Sequence, residues 1–307
     1  MSDFQQRVKR RKLWHLRMSD IEASDTAADF SHLRSLLFAP GSDERKLRKA
    51  LASDADGVVA DLEDAVAPAE KTTAREVVRH VLGTTDRETT PLPMVRVSGV
   101  DTPYFGEDLA LVSELVLDAL VLPKASPEAV AALGSEGPPV IAIVETAEGV
   151  RLAHETGRAP RVVALLLGAA DLGAELGLEP RADGLEILYA RSRLVIDSAA
   201  AEIRAPLDVV YLDLHDQKGL EAEARLARSL GFRGKACVHP AQVEVVNRVF
   251  SPTAEEVDWA RRVVDAYERG ERAGRAQWRL TARWSTCPSS RGRGEYWRKR
   301  KERLHEH

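Results

Sequence analysis

Short apolar runs alternate with longer stretches of mixed polarity along the chain from residue 34 onward. Each run is bounded by Pro, Gly or Asp, a pattern typical of strands that are buried on both faces. The eight runs are RSLLFAP, ADGVVADLED, PMVRVSG, DALVLPK, PPVIAIVETAEG, RVVALLLGAADLG, PLDVVYLDLHD and GKACVHP. Between them, segments such as DERKLRKALAS and GLEAEARLARSLG carry apolar residues every three or four positions, which predicts amphipathic helices.

The alternation of strand and helix determines the predicted fold class. Parallel neighbours need a crossover between them, so strand–helix units with short connections predict a parallel α/β sheet. Eight units within about 230 residues predict a closed (β/α)8 TIM barrel, followed by a C-terminal helical extension. An open doubly wound sheet is the alternative, but no GxGxxG follows the first strand. We therefore predict that residues 31–273 form the barrel domain with its following helix.

The composition is that of an ordinary globular protein. The 307 residues are 44% hydrophobic and 30% charged with a net charge of -4, and this mild acidity disfavours a nucleic-acid-binding surface. The two cysteines, Cys237 and Cys287, have no metal-ligand spacing, which argues against a disulfide scaffold or a zinc site and suits a reducing cytoplasm. No apolar stretch approaches the roughly 20 residues that span a bilayer. We therefore predict a cytoplasmic protein without a nucleic-acid or membrane partner.

Residues 1–30 are predicted to be a disordered basic tail. The opening segment MSDFQQRVKRRKLWHLRM is basic but lacks the apolar stretch of a secretory signal. A transit peptide is an alternative for this segment, and Met18 is an alternative start of translation.

Polar side chains recur where the predicted strands end. In chain order they are Asp61, Glu63 and Asp64, then Arg96, Lys124, Glu145, Asp171, Asp213 and Asp216, and finally His239. Parallel barrels place their functional groups at the carboxyl ends of the strands, so these side chains are expected around one rim. The sequence therefore predicts an acidic site that also contains an arginine and a lysine.

Glu145 and Asp171 follow adjacent predicted strands and form a candidate ligand pair for Mg²⁺, which favours oxygen ligands and commonly takes one or two carboxylates. Arg96 offers a planar fork for a substrate carboxylate. Each residue type also has a structural interpretation: an acid after a strand can cap a helix, and Arg96 can neutralise Glu63 or Asp64. Lys124 suits a solvated loop charge and His239 a structural residue.

Several motifs in order resemble the citrate lyase β-subunit-like branch of the HpcH/HpaI aldolase family, over about Arg34 to Arg275. They are RSLLFAPGS, DGVVADLEDAVAPAEKTTAR, VRVSG, LVLPKA, IVETAEGV, LLLGAADLGAELG, GLEILYARSRLVIDSAAA and DVVYLDLHDQKGLEAEARLARSLGFRGKACVHPAQVEVVNRVFSP. The resemblance implies a Mg²⁺-dependent barrel lyase, trimeric or hexameric. Such enzymes cleave or form the carbon–carbon bond of malyl-CoA, citramalyl-CoA or citryl-CoA, with acetyl-CoA and a keto acid as products.

The resemblance also implies roles for particular residues. Glu145 and Asp171 would be the metal ligands, and Arg96, together with Glu145, would bind the substrate. Glu63 and Asp64 would assist catalysis around metal-bound water and Arg96. Coenzyme A would meet the loop Pro40, Gly41 and Ser42, together with Lys46. Ala170 and Ser98 depart from the family pattern, which has Glu and Asn there, and both leave the substrate open.

The C-terminal segment 274–307 is an atypical basic tail. Relatives carry here an aspartate that reaches into a neighbouring subunit's active site, whereas this chain reads AQWRLTARWSTCPSSRGRGEYWRKRKERLHEH. Permissible codons for residues 276–300, read one base out of register, can encode the family's ending, which suggests a frameshift near Arg275. The alternative is a genuine basic tail that contacts nucleic acid or a partner.

The loss of that aspartate keeps a second function open, a catalytically impaired barrel that binds CoA esters without turnover. Two enzymatic variants also remain: a citrate lyase subunit that uses an acyl-carrier-protein thioester, and a malate-synthase-like enzyme that adds thioester hydrolysis.

Overall fold

The computed structural model describes residues 30–86, 91–272, 277–280 and 283–286. The tail predicted to be disordered therefore lies outside the described residues, except for Phe30. The chain divides into two compact units, residues 1–250 and residues 251–307. The predicted boundary near residue 273 stays a prediction.

The first unit is a closed barrel of eight parallel strands, with each strand beside its neighbours in sequence and the last beside the first. The strands are β1 (Ser35–Pro40), β2 (Gly57–Asp61), β3 (Leu92–Arg96), β4 (Ala119–Leu122), β5 (Val140–Val144), β6 (Val162–Leu167), β7 (Arg204–Asp208) and β8 (Gly234–Cys237). Each overlaps one of the apolar runs of the sequence, although β3 begins one residue before its run, at Leu92, and β7 two residues before, at Arg204. The predicted barrel is confirmed.

Helices follow the strands and cover the barrel. They are α1 (Glu44–Leu51), α2 (Lys71–Gly83), α3 (Phe105–Glu114), α4 (Pro127–Ala131), α5 (Ala147–Arg151), α6 (Ala153–Gly157), α7 (Ala169–Leu176), α8 (Leu188–Ala200), α9 (Gln217–Leu230) and α10 (Val243–Phe250). Four 3-10 turns lie at Phe30–His32, Pro68–Glu70, Leu185–Ile187 and Pro240–Gln242. Among the described residues, no helix is long and apolar enough to cross a membrane.

Polar residues begin several of these helices. The side chain of Asp43 accepts a hydrogen bond from the backbone N–H of Lys46 at the start of α1, and Thr146 accepts one from Gly149 at the start of α5. Such caps satisfy N–H groups that have no partner within the helix. The helix that follows Glu145 therefore begins at a defined residue, which fixes the end of β5.

The buried side chains form two layers because successive residues of a strand point to opposite faces. The barrel interior contains Leu36, Val59, Met94, Val121, Ile141, Leu166, Leu207 and Ala236. The layer between strands and helices contains Leu37, Val58, Val95, Leu120, Ala142, Leu165 and Cys237, packed with helical residues such as Leu47, Val78 and Leu194. Burial on both faces explains why the strands are continuous apolar runs rather than alternating ones.

The second unit contains the predicted helical extension, α11 (Ala254–Arg272). It also contains an antiparallel pair of strands, β9 (Gln277–Leu280) and β10 (Arg283–Thr286), in which Trp284 is paired with Arg279. Most of the atypical tail lies outside the described residues, so its origin by frameshift stays a hypothesis.

Candidate functional site

A cavity of about 440 Å³ opens at the carboxyl ends of the strands. One side is polar, formed by Asp61, Asp64, Arg96, Glu145 and Asp171. The other side is apolar and includes Phe38, Ile143, Leu166, Val210, Ala236 and Val238. The cavity therefore combines a charged wall with a hydrocarbon floor, as small-molecule sites commonly do.

Asp61 and Arg96 form a bidentate ion pair among the polar residues of the cavity. They are the last residues of β2 and β3 and lie opposite each other in the register of the two strands. Arg96 donates from Nε to Asp61 Oδ1 (2.7 Å) and from Nη2 to Asp61 Oδ2 (2.6 Å). Its guanidinium also lies 5.3 Å from the ring centroid of Phe38. Asp61, a residue without a predicted role, thus fixes the orientation of the arginine.

Glu63 and Asp64 contact the remaining terminal nitrogen of the arginine. Arg96 Nη1 lies 2.9 Å from Glu63 Oε2 and 3.6 Å from Asp64 Oδ2. The Asp64 side chain is 66% exposed, whereas Glu63 is buried. Burial raises the pKa of Glu63 to about 8; the charge of Arg96 opposes this shift, and the charges of Asp64, Glu145 and Asp61 add to it. The expected contact of Arg96 with Glu63 and Asp64 is present, but the bidentate partner is Asp61.

Glu145 follows β5 directly and is buried. Its Oε1 accepts a hydrogen bond from the backbone N–H of Lys124 (2.7 Å), a residue with a φ of 45°. Burial raises the pKa of Glu145 to about 7; the hydrogen bond from Lys124 opposes the shift, and the charge of Asp171 adds to it. The Lys124 side chain itself is exposed, as its structural interpretation predicted.

Asp171 lies in the first turn of α7 and lines the cavity with Gly168, Ala169 and Ala170. Gly168 is the N-cap of this helix and supplies no side-chain cap, so no capping side chain covers the first N–H groups of the helix. Within the described part of the chain, no basic side chain lies within 4 Å of the carboxylates of Glu145 or Asp171 in an ion pair, which leaves both available to a cation.

The charge balance of the polar wall fits a hard divalent cation. The carboxylates of Asp61, Asp64, Glu145 and Asp171 line the cavity together with Arg96, and Glu63 contacts the same guanidinium without being a lining residue. No cluster of three or more potential ligands occurs among residues 30–86, 91–272, 277–280 and 283–286. A cation held by Glu145 and Asp171 would therefore keep positions for water and substrate, which is the usual coordination of Mg²⁺ in proteins.

The predicted coenzyme loop begins at the cavity. Pro40 lines it at the end of β1. Gly41 donates its N–H to the carbonyl oxygen of Asp61 (2.8 Å), and a β-carbon on Gly41 would lie 2.7 Å from that oxygen, so only glycine fits here. Ser42 is half-buried, while Lys46 is exposed on α1 with its Nζ 3.3 Å from Asp43. Their contact with coenzyme A stays a prediction.

Several rim residues from the sequence do not line the cavity. Asp216 caps α9 through the N–H of Gly219 and accepts a hydrogen bond from the Tyr211 hydroxyl. His239 caps the turn at Pro240–Gln242, which confirms its structural interpretation. The strand β7 ends earlier than its apolar run, at Asp208, so Asp213 and Asp216 belong to the following loop. Of the two departures from the family pattern, Ala170 lines the cavity and Ser98 is buried away from it.

A buried ionic network escaped the sequence reasoning. Asp208 accepts hydrogen bonds from Lys235 Nζ (2.9 Å) and Arg191 Nε (2.9 Å), and both cations also contact Glu223. Asp208, Lys235 and Arg191 have no exposed side-chain surface. The only sequence signal is a lysine inside the apolar run GKACVHP. The network joins β7, β8, α8 and α9 on the outer side of the barrel.

Comparison with known proteins gives concordant matches. A model of the HpcH/HpaI aldolase/citrate lyase family matches residues 34–240. The chain is 41% identical over 245 residues to a (3S)-malyl-CoA thioesterase of Cereibacter sphaeroides, a match that covers 78% of this chain and 85% of the relative. It is 34% identical over 256 residues to the citrate lyase subunit beta of Leuconostoc mesenteroides, covering 78% of this chain and 84% of the relative.

A solved structure with the same architecture is that of protein CitE from Mycobacterium tuberculosis in complex with magnesium, acetoacetate and coenzyme A. It superposes with a TM-score of 0.73 and is 32% identical in sequence. The match covers 89% of this chain and 98% of that one.

Proposed function

Because this chain belongs to the HpcH/HpaI aldolase/citrate lyase family, we propose that it is a Mg²⁺-dependent carbon–carbon lyase of CoA thioesters. Its substrates would be hydroxy-dicarboxylyl-CoA thioesters such as malyl-CoA, citramalyl-CoA or citryl-CoA, and its products acetyl-CoA and a keto acid. The observation that carries this proposal is that Arg96 and four carboxylates, those of Asp61, Asp64, Glu145 and Asp171, line one cavity.

Glu145 and Asp171 would hold the metal ion. Both line the cavity, and the M. tuberculosis relative was solved with magnesium, acetoacetate and coenzyme A together. When bound, Mg²⁺ supplies a Lewis acid that polarises an oxygen of the substrate. The hydrogen bond from the Lys124 N–H fixes one oxygen of Glu145, so the carboxylate is oriented before any ligand arrives.

Arg96 would orient the substrate carboxylate and stabilise negative charge that develops on the thioester. Two sides of its guanidinium are held by Asp61, so the group is fixed in position. Nη1 contacts Glu63 at 2.9 Å and Asp64 at 3.6 Å, and the second is a long contact to an exposed side chain that a substrate carboxylate can replace. A preorganised guanidinium above an apolar floor is favourable for electrostatic stabilisation.

Cleavage moves one proton and one electron pair. The substrate hydroxyl loses its proton as its carbon becomes the keto acid carbonyl, and the electrons of the broken carbon–carbon bond form the thioester enolate. Protonation of that enolate at carbon gives acetyl-CoA. In its ionised form Glu63 is suited to accept the hydroxyl proton, because a pKa raised to about 8 makes its carboxylate a stronger base than usual.

Phe38, Ile143, Leu166 and Val210 form an apolar floor that would exclude water from the enolate. The loop Pro40–Ser42 and Lys46 would bind coenzyme A beside it. The chain would then bind an acyl-CoA thioester and a small keto acid, and it would assemble with further copies of itself into a homotrimer or hexamer in the cytoplasm.

Thioester hydrolysis is a second candidate, because the C. sphaeroides relatives at 41% identity carry the name (3S)-malyl-CoA thioesterase. The same base would then activate water instead of the substrate hydroxyl. An impaired barrel that binds CoA esters without turnover is the third, because the sequence after Arg275 lacks the family's usual ending.

Product analysis by mass spectrometry separates these functions. The purified full chain is incubated with malyl-CoA, with and without Mg²⁺. Acetyl-CoA with glyoxylate identifies the lyase, and free CoA with malate identifies the thioesterase. Absence of both, in a folded protein that still binds CoA, would refute the lyase proposal and select the impaired barrel.

A further inference from the structure

Lys71, the first residue of α2, is an unusual lysine because it is only 7% exposed. Its Nζ donates to the carbonyl oxygens of Leu62 and Glu63, the latter at 2.9 Å, and lies 3.4 Å from Ser98 Oγ. The same ammonium lies 5.2 Å from the ring centroid of Tyr104. Lys71 therefore binds the main-chain carbonyls of the acidic segment, which is defined as residues 61–64.

No carboxylate forms an ion pair with Lys71 in the part of the chain that the structure describes. A buried ammonium without a counter-ion loses several kcal/mol of hydration. Carbonyl dipoles and an aromatic face replace some of it. The ammonium is therefore held mainly by the main-chain carbonyls of Leu62 and Glu63.

The amide side of the acidic segment is held separately. Asp61 accepts hydrogen bonds from the N–H groups of Glu63 (2.9 Å) and Ala65 (3.2 Å), and Leu62 donates its N–H to the carbonyl of Arg96 (2.9 Å). The carbonyls thus point to Lys71 and the amides point to Asp61 and β3. With both sides of its peptide planes bound, Glu63 has a fixed backbone, and its carboxylate meets Arg96 Nη1.

We propose that Lys71 is a positioning residue that holds the acidic segment so that the Glu63 carboxylate stays buried against Arg96. Lys71 does not line the cavity among the described residues, so it acts through Glu63 and not on the substrate. Loss of the ammonium removes the charged donor from the carbonyls of Leu62 and Glu63, which keep only the longer hydrogen bonds from Ser98 Oγ (3.4 Å) and the Val66 N–H (3.2 Å). The acidic segment is then held less firmly. The catalytic part of the inference rests on the proposed function, but the placement of Glu63 does not.

Arg75 provides a matched control on the same helix. It lies one turn after Lys71 and is 6% exposed. It pairs with Asp108 (2.7 Å) and Glu107 on α3 and makes no contact with the acidic segment in the described residues. Arg75→Met therefore removes a buried cation from the same helix, one that has carboxylate partners on α3, without removing a contact to the acidic segment.

The experiment compares Lys71→Met with Arg75→Met in protein labelled with ¹³C at the glutamate carboxyl. The NMR signal of Glu63 is identified by its absence from Glu63→Gln. In Lys71→Met the titration midpoint of Glu63 falls by about one pH unit or more, because a carboxyl that gains solvent returns toward its ordinary pKa. In Arg75→Met the midpoint stays at the wild-type value. Both variants lose thermal stability.

Kinetics give the second measurement. In Lys71→Met kcat falls roughly 100-fold with KM nearly unchanged, whereas Arg75→Met loses less than about threefold, because only the first releases an acid–base group. An unchanged Glu63 titration in folded Lys71→Met would overturn the inference. Lys71→Gln, which keeps a donor but removes the charge, serves where the Met variant does not fold. A wild-type protein without activity would refute the proposed function, while the NMR titration would still test the role of Lys71.

Discussion

A β-carbon on Gly168 would lie 2.5 Å from the β-carbon of Glu145 and 2.6 Å from its Oε2. Gly168 follows β6, and the glutamate follows the neighbouring strand β5. Two β-carbons do not approach each other this closely in real proteins. Glu145 therefore reaches its position only because the residue after the next strand is a glycine. The geometry of the proposed metal site therefore depends on a residue that supplies no ligand.

Gly168→Ala should weaken Mg²⁺ binding by about 10–100-fold, the usual effect of disturbing a residue that orients a metal ligand. Isothermal titration calorimetry with MgCl₂ measures the affinity. Gly173→Ala is the control on the same helix, because a β-carbon there would meet nothing within 4 Å. That variant should bind Mg²⁺ normally and gain a little stability, about 0.5–1 kcal/mol, from the better helix former. Equal affinities in the two variants would contradict the account.

The raised pKa of Glu63 makes the folded protein less stable as the pH rises. The folded state keeps the proton up to a pH of about 8, whereas the unfolded chain releases it near 4.5. Between these values the folded state binds more protons, so the free energy of unfolding falls with increasing pH. Glu63→Gln should therefore raise the melting temperature by several degrees at pH 8 and by much less at pH 5. The conversion is about 2–4 °C for each kcal/mol of change in the free energy of unfolding.

Calorimetry in EDTA provides the measurement for Glu63, since a bound cation would mask the repulsion among the carboxylates. Glu179→Gln, at an exposed position, should shift the melting temperature equally little at both pH values. If Glu63→Gln raised the melting temperature by the same amount at pH 5 and at pH 8, the result would contradict the burial of a protonated Glu63 carboxyl.

Lys235→Met should lower the free energy of unfolding by about 3–5 kcal/mol, because it leaves the buried Asp208 with one cationic partner instead of two. The two cations hold the pKa of Asp208 below its ordinary value of 3.8 against the opposing effect of burial. The stabilisation is therefore complete above that value and is lost as the pH falls below it. The difference in free energy of unfolding between wild type and Lys235→Met, measured by urea unfolding, should become smaller in strong acid.

Arg181→Met is the control for the buried network, because the pair Arg181–Asp183 (2.8 Å) is exposed. Exposed pairs contribute little to stability, so no measurable change is expected. If Lys235→Met and Arg181→Met lost the same free energy of unfolding, the buried network would contribute no more to stability than an exposed ion pair.

The sequence predicted the barrel because burial on both faces leaves a signal that survives without tertiary information, namely eight apolar runs separated by amphipathic helices. It also brought Glu145 and Asp171 to one cavity, because the carboxyl ends of parallel strands share one rim. The end of the seventh strand was mistaken, since the apolar letters continue past Asp208 into the loop. A strand end within an apolar run is set by the register of the neighbours, which a single sequence does not contain.

Partners within the site were harder to predict than positions. Three acids lie within four residues at the end of β2, and only the register of β2 with β3 selects Asp61 as the bidentate partner of Arg96. Lys71 and Lys235 were missed for a related reason: lysine is nearly always solvated, so even a lysine inside an apolar run does not show that its ammonium is buried among carbonyls or carboxylates.

The central claim is that Glu145 holds a catalytic cation in a carbon–carbon lyase. Its most direct test is acetyl-CoA release from citramalyl-CoA by wild type and Glu145→Gln across a Mg²⁺ series. Glutamine keeps an acceptor for the Lys124 N–H but removes the charge. The account predicts release that requires Mg²⁺ and falls at least about 100-fold in the variant. Release that persists in EDTA, or a variant as active as wild type, would contradict it.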